Sequence, residues 1–187
     1  MTAAIETAPA TVLLLGDPRL RVRARPVTDF SDPVFRSDVK RLVATLGYFR
    51  RAHGFGRAIA APQIGVPRRL IAVDLGSGPF LVVNPEVTWK SDATFTMWDD
   101  CMSFPGLLVR LRRHESLALH YQDEQGEAKD WERLDRAASE LMQHEIDHLD
   151  GVLFTDRADG RDALVLRPVY DSNRAYFRGQ VDYVIGD

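Results

Sequence analysis

The chain is poor in cysteine, in charge of one sign and in long apolar runs, and each shortage removes a class of protein. Its single cysteine, Cys101, has no partner for an internal disulfide. It is therefore either buried apolar filler or a thiol kept for its chemistry, and taken alone filler is the simpler reading. Lys and Arg number 24 against 27 Asp and Glu, a formal charge of −3, and the cations are scattered among the acids. Without a basic footprint, no direct nucleic-acid site is expected. No stretch approaches the length of a membrane span, and residues 1–10 lack the charged start and apolar run of a secretory signal. The expectation is a soluble, cytoplasmic protein. No repeat, low-complexity tract or Pro/Gly/Ser linker divides the 187 residues. They read as one domain spanning 1–187, with 1–10 a flexible end.

Apolar spacing supplies the coarse structure. Val34, Phe35, Val39, Leu42, Val43, Leu46 and Phe49 recur at helical intervals, and Ser31 and Asp32 followed by Pro33 suit a helix start, which predicts a helix over 31–52. From Arg69 the pattern changes to short β-rich runs at 70–73, 80–84 and 117–121, separated by Gly, Pro and Asp signals. Helical spacing returns over 134–149, and Gly151 is placed to end it. The fold class expected is α+β: a compact single domain of mostly antiparallel sheets around a central helix.

That last helix carries His144-Glu145-Ile146-Asp147-His148, an H-E-x-x-H run. At about 3.6 residues per turn, positions four apart stack on one face, so both imidazoles can reach one ion while Glu145 stands beside an open coordination position. For the bare pattern, two solvent-facing histidines are an equally good reading. A metal needs a further protein ligand, and Cys101 fits best: it lies in the turn-rich segment 99–106 between expected strands, where core filler is less expected. His53, His114 and His120 are read as surface or ordinary polar residues, and so are Asp147 and Asp150 near the helix end.

Three segments taken in order then resemble the signature motifs of the peptide deformylase family: Gly56-Arg57-Ala58-Ile59-Ala60-Ala61-Pro62-Gln63, the Cys101 segment, and residues 143–151 around the H-E-x-x-H run. With Asp17-Pro18-Arg19-Leu20-Arg21 and Gly151-Val152-Leu153-Phe154, the resemblance runs from about Leu14 to Asp156. It implies a metal-dependent hydrolase that removes the N-formyl group from the N-terminal methionine of nascent polypeptides. It also implies one divalent ion, iron(II) in most native enzymes, with zinc, nickel or cobalt chemically compatible. In the implied site Cys101, His144 and His148 hold the metal and Glu145 is the general base. The Gln63 side chain and the Met102 backbone N–H face the oxyanion, each such donor being worth roughly 3 to 4 kcal/mol. Gly56, Arg57, Ala58, Met97, Asp99, Glu140 and Leu141 are the substrate-binding positions. Partners are an N-formylated peptide or small formyl-amine and, as a candidate, the ribosome.

The chain also departs from the family pattern. Ala58 stands where glycine is usual, and Asp99-Asp100 stand where Glu-Gly is usual. Arg57 and Glu140 put charge where the family builds an apolar pocket for methionine. Those two side chains could pair within the pocket, hold a polar substrate group, or turn out to solvent. Two alternative functions follow: a deformylase-like hydrolase of a different N-formyl amine or amino acid, or a noncatalytic metal- or peptide-binding domain. Retention of Glu145 weighs against the last, because a structural site needs no base.

Overall fold

A computed structural model describes residues 8–186. Residues 1–7, on which most of the expected flexible end falls, lie outside the described residues. At Ala10 the chain is already tied down, its N–H donating to Thr45 Oγ1 at 2.8 Å.

Helix α1 spans Pro33–His53. The Asp32 side chain caps it by accepting from the Val34 N–H at 2.9 Å, and Pro33 occupies the first turn, where no donor is missed. Strands β1 (Ala58–Ala60), β2 (Leu70–Val73) and β3 (Phe80–Lys90) follow, then β4 (Thr94–Asp100), β5 (Leu107–His114), β6 (Leu117–Gln122) and β7 (Ala128–Trp131). Helix α2 spans Arg136–Leu149, capped by Asp135, which accepts from the Ala138 N–H at 2.8 Å. Strand β8 (Leu164–Leu166) and short helices α3 (Arg167–Ser172) and α4 (Arg174–Arg178) follow.

Two antiparallel sheets result, one ordered β1-β2-β3-β6-β7 and the other β4-β5-β8. The period-two alternation of a strand divides the apolar residues of the first sheet between two helices. Ile59, Leu70, Ala72 and Val83 pack with Phe35, Leu42 and Leu46 of α1. Ala58, Ala60, Ile71 and Val82 pack with Leu141, Met142 and Leu149 of α2. Helix α2 also contacts β5, so it lies between the two sheets. Each large apolar side chain buried on these faces contributes about 1.5–3 kcal/mol. The expected α+β fold, antiparallel sheets around a central helix, is the one observed.

The differences have local causes. Strand β3 runs on to Lys90, beyond the expected 84, through Glu86–Lys90, all of them exposed. Val87 and Trp89 alternate there with Glu86, Thr88 and Lys90, a period-two pattern that continues the strand although both apolar side chains face water. The end of α2 depends on one glycine: Gly151 has φ +73°, and a Cβ there would lie 2.5 Å from the Arg21 carbonyl oxygen. Only glycine permits both the left-handed turn and the close approach.

Candidate metal centre

Helix α2 and the turn after β4 build the site together. Strand β4 ends at Asp100, so Cys101 begins the turn, and His144 and His148 project from one face of α2 towards it. Ligand atoms of Cys101, His144 and His148 all lie within 4.8 Å of one another, and all three residues are buried. The Cys101 Sγ is 3.2 Å from His148 Nε2. Ligands about 2.0–2.3 Å from a tetrahedral ion sit roughly 3.5 Å apart, so this spacing suits a single small cation.

The electrostatics agree with such an ion. Burial pushes the Cys101 thiol up, with His144 opposing, so a nearby cation is what would hold the sulfur as thiolate. Burial, then the charge of His144, pushes His148 well below its ordinary value and leaves a neutral imidazole, the form that ligates. Burial would lower His144 too, but Asp99 and Cys101 outweigh it and raise that ring well above its ordinary value, so a metal binding there would displace a proton from it. The residues therefore fit a divalent metal: one soft sulfur and two imidazoles, each a donor suited to zinc or iron.

Asp99 supports this cluster from behind. Its Oδ2 is 2.9 Å from His144 Nδ1 and accepts from Arg113 at 3.3 Å. Arg113, itself 3% exposed, reaches Asp147 at 2.6 Å, and Arg157 reaches the other Asp147 oxygen at 2.6 Å. Asp147 was expected at the surface and is instead buried in this network. Its position on α2 turns it inward, towards β5, a direction that sequence spacing could have suggested had Arg113 been seen opposite. Asp150 does lie nearer the surface, paired with Arg69 at 2.7 Å.

Glu145 is 3% exposed, burial raises it to about 7, and its Oε2 has no hydrogen-bond partner among the described residues. A buried carboxyl poised near neutrality can take and return a proton. Gln63 is oriented by its own carbonyl: Oε1 accepts from the Ala60 N–H at 2.8 Å. Its NH2 therefore faces the sulfur of Cys101, 3.6 Å away, and Ser103 Oγ at 3.3 Å. The Met102 N–H has no hydrogen-bond acceptor among the described residues.

A cleft of about 360 Å³ opens over this cluster, lined by Gly56, Arg57, Ala58, Gln63, Asp99, Cys101, Met102, Glu140, Leu141, His144 and Glu145. Met97 is not on its surface: it is 0% exposed and packs inward with Phe95 and Leu111, which corrects its expected place in the substrate wall. Met97 shares its strand face with Asp99, which does line the cleft, but lies two residues further from the Cys101 turn, where Phe95 and Leu111 cover it. Asp99, expected to meet substrate, lines the cleft but spends its carboxylate on His144 and Arg113.

The charged departures resolve. Glu140, 1% exposed, forms an ion pair with Arg57, whose guanidinium also donates to the Ala137 carbonyl at 3.0 Å. Neither turns fully to solvent: they pair with each other in the cleft wall. Among the described residues only Asn84 and Arg133 are non-glycines with positive φ, so Asp100 needs no glycine-like backbone. Its carboxylate accepts from Arg167 of α3 at 2.5 Å. The three remaining histidines have ordinary partners: His53 packs on Phe49, His114 Nδ1 is 2.7 Å from the Ser91 carbonyl, and His120 pairs with exposed Asp130.

A thiolate-capable cysteine, two imidazoles and a buried carboxyl near neutrality, set on an α+β scaffold, define a metallohydrolase. The sequence profile described as Polypeptide deformylase matches residues 9–163. A peptide deformylase of Thermotoga sp. (strain RQ2) is 36% identical over 156 residues, covering 83% of this chain and 91% of that protein. The crystal structure of the Thermotoga maritima peptide deformylase superposes with a TM-score of 0.73 at 36% identity, over 81% of this chain and 99% of that one. That of Synechococcus elongatus, in complex with actinonin, gives 0.74 at 30% identity over 86% and 85%. The chain belongs to the polypeptide deformylase family and is a metal-dependent hydrolase of that kind. No described helix is long and apolar enough to cross a membrane.

Proposed function

We propose that this enzyme removes the N-formyl group from peptides beginning with formyl-methionine, using Cys101, His144 and His148 to hold one divalent ion. The observation that carries the reading is the convergence of those three buried donors, within 4.8 Å, beside the buried and unpaired Glu145 oxygen. When bound, the ion supplies a Lewis acid that brings the pKa of water towards neutrality. Glu145 takes the water proton and returns it to the amine that leaves, so formate and a free N-terminus result and the carboxylate is regenerated. The Gln63 amide and the Met102 N–H donate to the oxygen on which negative charge develops. Because Oε1 of Gln63 is already committed to Ala60, the amide needs no reorientation as that charge appears. Asp99 keeps His144 turned so that its other ring nitrogen faces the ion. Iron(II) is the native ion in this reading, with zinc, nickel and cobalt as substitutes, and the substrates are chains leaving the ribosome in the cytoplasm.

A second reading concerns the first substrate residue. The Arg57–Glu140 pair occupies the wall where the family resemblance implies an apolar methionine pocket. A polar or charged first residue would meet hydrogen-bonding partners there, whereas a thioether would lie against a paired charge. One experiment tests both readings: anaerobic formate release by the iron(II)-loaded protein from formyl-Met-Ala-Ser and from formyl peptides with acidic, basic or polar first residues. Turnover that is fastest on methionine, lost on chelation and regained with iron(II) supports the first. Turnover confined to polar or charged first residues supports the second, and no formate from any peptide would overturn both.

A further inference from the structure

The last residues of the chain lie on an edge of the smaller sheet. The family match stops at residue 163, so β8, α3, α4 and the tail after them all lie beyond it. Strand β8 pairs with β5 on one side of that sheet, and β4 forms the opposite edge. Helices α3 and α4 carry the chain across: Tyr170 and Phe177 pack edge-on to Trp98, whose indole donates to the Phe177 carbonyl at 3.0 Å. The chain then reaches the β4 edge, where Tyr183 and Met97 form a parallel bridge.

Parallel pairing gives the tail a direction. From Tyr183 it heads along β4 towards Cys101, and Val184 and Ile185 enter the lining of the cleft, which Asp99, Asp100 and Cys101 also line. Ile185 packs against the apolar cluster that holds Met97, Cys101 and Phe104. The tail thus sits on the strand that leads to the metal ligands and puts two branched apolar side chains into the cleft.

Its hold on β4 is local. The Asp182 and Tyr183 N–H groups both donate to the Thr96 carbonyl at 3.1 Å. The Asp182 carboxylate accepts from the Thr96 N–H at 2.9 Å and its hydroxyl at 2.8 Å. Asp182 is exposed, Tyr183 to Ile185 are half-buried, and among the described residues Met97–Tyr183 is the one isolated bridge that ties the tail to β4. Few buried contacts and exposed hydrogen bonds mark a segment that opens at little cost. The packing of α3 and α4 on Trp98 keeps the opened tail tethered nearby, so it re-forms its contacts as an intramolecular competitor.

An extended peptide needs the same edge. Peptides add to a sheet edge through main-chain hydrogen bonds and place alternate side chains in pockets. A peptide whose formyl group reaches the metal ligands has β4 as its neighbouring edge, and the tail already lies there.

We propose that residues 182–186 form an autoinhibitory strap, which occupies the place of the substrate along β4 and is displaced when an N-formyl peptide takes that edge. The strap governs how readily a chain engages and sets no limit on its length. It rests on the deformylase reading above, which puts a peptide in this cleft. A closed fraction lowers the apparent affinity for substrate in proportion and leaves the bound complex unchanged.

The test measures KM and kcat for formate release from formyl-Met-Ala-Ser by the iron(II)-loaded full chain and by Asp182→Ala, which loses the carboxylate bonds to Thr96. The expected result is a KM about tenfold lower in the variant, with kcat within about twofold of the wild type. A KM that is unchanged or higher in the variant would overturn the strap while leaving the deformylase reading intact. Should Asp182→Ala fold poorly, hydrogen exchange in the wild type decides. Saturating Met-Ala-Ser should speed exchange of the Asp182 and Tyr183 amides by about tenfold or more as their bonds to Thr96 open, and unchanged exchange overturns the strap. Should neither protein release formate, the deformylase reading fails, and calorimetric titration with Met-Ala-Ser judges the strap. Binding about tenfold tighter in Asp182→Ala supports it, and equal binding or none in both proteins overturns it.

Discussion

His144 Nδ1 lies 2.9 Å from Oδ2 of Asp99, and the same oxygen accepts from Arg113 at 3.3 Å, so one buried atom fixes a ligand ring and is itself fixed by a guanidinium. An ionised carboxylate only accepts, so it holds His144 with Nδ1 as donor and leaves Nε2 for an ion. Asp99→Asn keeps the shape but removes the charge. The expected outcome is a loss of about 10–100-fold in metal affinity, measured by competition with a chelator. Unchanged affinity would show that His144 needs no such support.

The Arg57–Glu140 pair gives a stability prediction with a sign. Burial raises Glu140 from its ordinary 4.5 to about 7, although Arg57 opposes the shift. A folded-state pKa above the unfolded one means that the folded protein holds a proton the unfolded chain has released. That contribution is full below about pH 4.5 and is lost as the pH rises through about 7. Denaturant unfolding at about pH 5 and about pH 8 should show the wild type losing more stability than Glu140→Gln, by up to about 3 kcal/mol. An identical pH dependence in both proteins would contradict the burial argument.

Truncating the partner should be harsher than neutralising the pair. Arg57→Ala leaves Glu140, 1% exposed, without its cation, and the expected cost is about 3–5 kcal/mol at pH values above about 7, read from the same unfolding curves. The double variant Arg57→Leu with Glu140→Leu should recover most of that loss. A single variant as stable as the wild type would mean that water reaches the carboxylate.

Much of this site was legible in the sequence because its chemistry is local. His144, Glu145 and His148 share one helix, and the apolar spacing of 134–149 put that helix in place. Cys101 was found through the turn composition around it. What was not legible depends on contacts between distant segments. Asp147 looked like a surface acid because Arg113, 34 positions away, supplies its partner. Met97 shares the strand face of Asp99, so nothing local marks it as covered: Tyr183, which bridges it, is 86 positions downstream. The region after 157 carried apolar residues in no clear period. Its helices are only 6 and 5 residues long, and a short helix bound through a single aromatic to Trp98 shows no stripe.

Gly151 tests how the end of α2 is held. Gly151→Ala would place a Cβ 2.5 Å from the Arg21 carbonyl oxygen at φ +73°. We expect a loss of about 1–3 kcal/mol, seen as a lowered thermal midpoint, with metal content unchanged in protein that remains folded. Retained stability would mean that the Arg21 segment gives way freely.

Glu145 moves the proton in this site while Cys101, His144 and His148 hold the ion, and one variant separates those tasks. Glu145→Gln is loaded anaerobically with iron(II), its metal content is determined, and formate release from formyl-Met-Ala-Ser is followed beside the wild type. Full metal occupancy is expected, with turnover reduced by about 10²–10⁴-fold. Turnover at the wild-type rate in the fully metallated variant would contradict it.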